Sequence, residues 1–121
     1  MYDRTKVLLA IASAIVAAAA MTAPAQFAAA DEDPTKPAAD MIEQKYNLDI
    51  KKLFASKCSW CHQSYGMKQA DGPKLAGTSK TREQVITQIR NGKSPMPGFK
   101  NQLKQEEIEA LADYIKALPK N

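Results

Sequence analysis

The stretch CSWCH, Cys58 to His62, carries both cysteines and the only histidine of the chain. No other feature limits the possible fold so strongly. Two thiols and an imidazole at this spacing suit a disulfide, a zinc corner, a redox dithiol or the attachment point of a haem. A disulfide between Cys58 and Cys61 closes a very small loop and removes little chain entropy. Zinc takes four ligands in a structural site, or three plus water in a catalytic one, and the chain offers two thiolates and one imidazole. A thioredoxin-like dithiol belongs at the start of a helix in a βαβ unit, and no strand run is visible.

The start of the chain narrows the choice through compartment. Residues 1–30 read as a signal peptide: Arg4 and Lys6 supply a positive start, Val7 to Ala20 an apolar run, and Ala28-Ala29-Ala30 a small-residue cleavage site. The run is short for a membrane span, although an uncleaved segment would tether the protein. Export implies an oxidising compartment, in which a reduced dithiol is out of place unless something else holds the sulfurs. What remains after cleavage is small, near the lower limit of what hydrophobic burial alone holds together, and domains of that size often recruit a cofactor. Its charge is mildly basic and evenly spread, without the concentrated stripe that nucleic acid requires.

Residues 31–46, with Pro34, Pro37 and several acids, read as a flexible leader, with one short helical turn possible over Met41 to Tyr46. The domain proper is expected over 47–121. A helix should begin at Asn47 or Asp49 and present Ile50, Leu53, Phe54 and Cys58 to a core. Gln63 to Lys80 is a long connection, and a compact domain seldom carries one unless it covers something. A second helix opens at Thr81 with Gln84 as capping-box partner, buries Val85, Ile86 and Ile89, and stops at Asn91-Gly92. Prolines on both sides of Met96 forbid helix there. A third helix runs from about Gln105 to Leu118, with Ile108, Leu111, Ala112, Ile115 and Leu118 as its apolar stripe. The expectation is an all-α domain of three main helices and irregular loops.

Of the four readings, the haem accounts for every part of the motif. Two thiols add across two vinyl groups of one porphyrin, and the adjacent imidazole reaches the iron. The ring then becomes the centre of the core and the loops its walls. A second histidine ligand is excluded. Among the five methionines, Met1 and Met21 leave with the signal, Met41 lies in the leader, and Met67 follows His62 too closely to reach the opposite face. Met96, beyond a full helix in a proline-stiffened loop, is the expected second axial ligand.

The segments LFASKCSWCH, GPKLAG, IRNGKSPMPGF and EEIEALADYIKAL together resemble the small bacterial class I cytochromes c, over residues 48 to 119. The resemblance implies that Cys58 and Cys61 form the thioethers to haem c, that His62 is the proximal ligand and that Met96 is the distal one. It further implies that the backbone carbonyl of Pro73 accepts the second imidazole N–H of His62, and that Phe54 and Tyr114 are the aromatic pair where the first and last helices cross. Two positions depart from the family: Ile50 stands where glycine is common, implying a wider or shifted helix crossing, and Lys104 where Ser or Thr caps the last helix.

An iron with both axial positions filled is suited to passing one electron, so the resemblance implies a periplasmic, monomeric electron carrier rather than an enzyme. By family analogy a quinoprotein dehydrogenase is a plausible donor and a terminal oxidase an acceptor. Ser59, Trp60, Gln63, Pro95, Pro97 and Phe99 are candidates to surround the haem edge, and Lys57, Lys68, Lys74, Lys93 and Lys100 to form a docking ring. Two alternatives stay open at this point: a haem subunit of an oxidoreductase whose Met96 dissociates, and a haem-free disulfide-bonded interaction module.

Overall fold

In the computed structural model, which describes residues 32–120, four α-helices follow one another: α1 Lys36–Tyr46, α2 Ile50–Lys57, α3 Arg82–Asn91 and α4 Gln105–Ala117. A single 3-10 turn, Ser64–Gly66, interrupts the long connection, and among the described residues there is no strand beyond one isolated bridge between Lys93 and Met96. The expected signal peptide, residues 1–30, lies outside the described residues.

Local signals set three of the four helices where the sequence places them. Asp49 caps α2, its side chain accepting from the Lys52 N–H at 2.8 Å. Thr81 and Gln84 form a reciprocal capping box at the start of α3: the Gln84 N–H donates to Thr81 Oγ1 and the Thr81 N–H to Gln84 Oε1. Lys104 has no acceptor with which to cap α4, but the Glu107 carboxylate accepts from its backbone N–H at 2.7 Å, so half of the box survives.

The reading of residues 31–46 as a flexible leader is corrected by α1. Pro37 sits in its first turn, where a missing N–H costs nothing and the fixed φ favours the helix. Ala38, Ala39 and Ile42 are buried on one face. Two alanines make a weak apolar signal in sequence, yet they let α1 lie close against its neighbours.

Helix α4 is the hub, packed against α1, α2 and α3. The Phe54 and Tyr114 rings meet edge to face with centroids 5.6 Å apart, and the Tyr65 ring lies 6.2 Å from Phe54. The Tyr114 hydroxyl donates to the Tyr65 carbonyl at 3.1 Å. Ile50, the residue in place of the common glycine, is wholly buried in this core.

Polar clamps tie the helices at their rims. Asp113 on α4 accepts from Lys45 (2.7 Å) and Tyr46 (2.6 Å) at the end of α1 and from the guanidinium of Arg82 on α3. Partial burial pushes the Asp113 carboxyl up, but the bonds from Arg82, Lys45 and Tyr46 outweigh it and hold it at about 2. Ahead of α1, buried Thr35 donates to Asp33 and accepts from Lys51 of α2 at 2.8 Å, and Lys51 also pairs with Asp33.

Candidate haem site

The helical course of α2 runs directly into the motif. Cys58 N–H donates to Phe54 O at 2.8 Å and His62 N–H to Cys58 O at 2.9 Å, so Cys58, Cys61 and His62 sit on one continuous turn. All three line a cavity of about 720 Å³, with Met96 also in its lining and Val85, Ile89, Phe99, Leu111 and Ile115 among its apolar walls. The cavity lies in the range expected for a cofactor site. The connection from Gln63 to Lys80 covers part of it, contributing Pro73 and Leu75.

His62 is 6% exposed. Its Nδ1 lies 2.8 Å from the carbonyl oxygen of Pro73. A carbonyl can only accept, so Nδ1 is the donor, which in the neutral ring leaves the lone pair on Nε2, the form in which imidazole binds iron. Gly72 makes this approach possible: a Cβ there would stand 2.5 Å from Cε1 of His62 and 2.9 Å from Nδ1. The Gly72 N–H also donates to Cys61 O at 2.8 Å, which fastens the covering loop to the motif.

The two sulfurs are not bonded to each other. Burial, and then the neighbouring Cys61, push the Cys58 thiol up to about 12. A sulfur so reluctant to ionise is a poor thiolate ligand. Among the described residues no group of three or more His, Cys, Asp and Glu side chains is placed to hold a metal ion. Two unbonded thiols, an oriented imidazole, a thioether in the same lining and apolar walls fit a covalently attached haem.

Met96 stands in a tight loop. Its N–H donates to Lys93 O at 2.8 Å and its carbonyl accepts from Lys93 N–H at 3.0 Å. Gly92, with φ of 72°, ends α3 so closely against this loop that a Cβ would stand 2.6 Å from Met96 O. Gln88 of α3 points its Nε2–H at Met96 Sδ, 3.8 Å away. Met67 packs against the hydrophobic core and does not line the cavity.

The residues expected around the ring edge differ in whether they line the cavity. Phe99 is buried in the cavity wall, Pro95 lines the cavity, and Pro97, Gln63 and Ser59 do not. Trp60 is 85% exposed and also stays out of the lining. Of the lysines, Lys74 and Lys93 line the cavity, joined by Lys80, whereas Lys57, Lys68 and Lys100 do not. Lys80 and Gln88 escaped the sequence reading. For Gln88 a signal existed: it is a polar residue in the same helical register as Val85, facing inward where an apolar one is expected.

Residues 47–115 match the family described as cytochrome c oxidase, cbb3-type, subunit III. The chain is 37% identical to the cytochrome c6 of Euglena gracilis, over 52% of this chain and 82% of that protein. It is 35% identical to the cytochrome c6 of Leptolyngbya boryana, over 53% of this chain and 82% of that one. Among solved structures, the c-type cytochrome KustC0563 superposes with a TM-score of 0.53 at 26% identity, over 60% of this chain and 99% of that one.

Proposed function

The chain belongs to the c-type cytochromes, as a small monohaem protein of class I, and we propose that it works as a periplasmic shuttle between a dehydrogenase or respiratory complex and a terminal acceptor. It carries a covalent c-type haem and is an electron-transfer protein rather than an enzyme. When bound, the haem supplies a one-electron ferrous–ferric couple.

In this reading Cys58 and Cys61 hold the ring, His62 binds the iron on one side and Met96 on the other. The Pro73 carbonyl fixes the imidazole and raises its basicity. The observation that carries the assignment is that all four of those side chains line one cavity, with Nε2 of His62 left free by the Pro73 bond. A thioether ligand and an apolar wall both favour the reduced state, which suits a carrier of high potential.

A quinoprotein dehydrogenase fits as donor and a terminal oxidase as acceptor; the matching family's own description, an oxidase subunit, favours the second. Among the described residues no helix is long and apolar enough to cross a membrane. We place the working protein in the periplasm as a monomer, released by cleavage of residues 1–30 or tethered by them.

The test is an absorption spectrum of the full chain, expressed in cells competent for haem attachment and recorded oxidised and reduced. The expected result is a low-spin haem that stays with the denatured chain, a weak methionine-to-iron band at the red end of the ferric spectrum, and no carbon monoxide binding at neutral pH. A colourless protein overturns the site assignment. Ready carbon monoxide binding overturns Met96 as a firm ligand.

A further inference from the structure

We infer that Lys116 is a positioning residue for the haem: from the exposed side of α4 it latches residues 78–80 in place as a wall of the cavity, and so keeps water from the ring. The inference rests on the haem reading above and adds a residue that does not itself line the cavity.

Two elements build this part of the lining. Leu111 and Ile115, one turn apart on α4, contribute to it, and so do Thr78, Ser79 and Lys80 of the long connection. On one side of that stretch the connection is fastened by Leu75 N–H and Ala76 N–H, which both donate to Gly66 O; on the other it is fastened by the Thr81 capping box. Between these fixed points the bonds are local. Thr78 N–H donates to Leu75 O at 3.0 Å and Lys80 N–H to Thr78 Oγ1 at 3.3 Å. Ser79 and Lys80 are exposed and Thr78 half-buried, so apolar burial does little to hold the stretch against the cavity.

Lys116 reaches it from α4. Its Nζ donates to Lys80 O at 2.7 Å and to Thr78 O at 3.3 Å. One ammonium spends two of its three donors on carbonyls two residues apart, which fixes the direction of both peptide units. Bonds with an ionised donor are the stronger class. Lys116 stands next to Ile115, so the latch joins the loop to the very turn of helix that lines the cavity. The consequence is electrostatic. Ferric haem carries one more unit of charge than ferrous haem, and water favours the more charged form, so a wall that lifts lowers the reduction potential.

The experiment compares the wild-type holoprotein with Lys116→Met, which keeps the length of the side chain but removes donors and charge, and with Lys116→Arg, which keeps both. Amide exchange is read by NMR on the reduced protein, and the potential by redox titration at low and high salt. In Lys116→Met the Thr78 and Lys80 amides should exchange about tenfold faster. The potential should fall, and the fall should persist at high salt, where the effect of a lost surface charge fades. The methionine-to-iron band and exchange of the Gly72 amide should be unchanged, and Lys116→Arg should keep the wild-type values throughout. A lowered potential with unchanged exchange assigns the effect to charge and overturns the proposal. Faster exchange at an unchanged potential overturns it too, because the stretch then does not guard the ring. No change in either means that the latch is absent. A wild-type protein that carries no haem defeats the haem reading itself, and this role for Lys116 falls with it.

Discussion

The two sides of the cavity are built by different means. On the histidine side, one helix flows into the motif, the backbone pairs turn by turn, and the ring of His62 is held between the Pro73 carbonyl and the bare backbone of Gly72. On the methionine side there is a loop with prolines at both shoulders, one pair of hydrogen bonds to Lys93, and a long contact from Gln88 to sulfur. The first side is specified locally and rigidly. The second depends on how α3 and α4 place a loop, so it is where ligation can be lost without loss of the ring.

Met96→Ala tests this division most severely. Its expected outcome is a coloured protein whose haem is high-spin, binds carbon monoxide when reduced and has a lower potential. Met67→Ala, at a residue that does not line the cavity, should change none of these. If Met67→Ala removed the methionine-to-iron band, the assignment of the loop as the ligand-bearing side would be wrong.

Gly72→Ala strikes the other side. The added methyl meets the imidazole at 2.5 Å, so the ring must leave the Pro73 carbonyl or the loop must lift from Cys61. Loss of such an outer hydrogen bond typically costs about 10-fold to 100-fold in ligand affinity or activity. The expected signs are a lowered yield of holoprotein and an altered histidine signal in paramagnetic NMR, with the methionine band retained. A variant indistinguishable from wild type would mean that the rigidity ascribed to this side is absent.

Acid should separate the sides further. Asp113 is held at about 2 by Arg82, Lys45 and Tyr46, against its ordinary value of 3.8. A carboxylate depressed in the folded state stabilises fully above its unfolded value and ceases to as pH falls through its folded one, so this contribution disappears between about pH 4 and pH 2. Asp33, lowered to about 2 by its hydrogen bonds from Lys51 and then Thr35, titrates in the same window. Because Asp113 anchors α3, the methionine band should fade before the haem leaves the histidine. Asp113→Asn should be less stable at neutral pH, with a shallower loss of stability between pH 4 and 2 in thermal melts. An unchanged slope would remove Asp113 from the account.

The same contrast explains what could be read in the sequence. Asp49, Thr81 with Gln84, and the CSWCH turn act within a few residues of themselves, so pattern alone located them. Met96 was reached by eliminating its rivals. The Pro73 carbonyl is a backbone atom with no side-chain signature and entered only through family resemblance. Helix α1 was missed because Pro37 looks like a breaker unless its place in the first turn is known, and because Ala38 and Ala39 look neutral until a neighbour covers them. Asp113 resembles any solvated charge until α1 and α3 bring it three partners.

Gln88 is the finest probe of the methionine side. An N–H directed at Met96 Sδ draws electron density from the sulfur and so weakens its support for the ferric ion more than for the ferrous one. Removing it should stabilise the ferric state and lower the potential. A hydrogen bond to a weak sulfur acceptor is worth at most about 1 kcal/mol, which for a one-electron couple is on the order of a few tens of millivolts. Gln88→Leu, which keeps the size and the helix, should therefore show that modest downward shift by redox titration, a moved methionine band and no change at the histidine. Thr87→Ala, on the adjoining exposed position of α3, should leave the potential where it was. If both variants shift it equally, the effect belongs to α3 as a whole, and the Met96 sulfur is held by its loop alone.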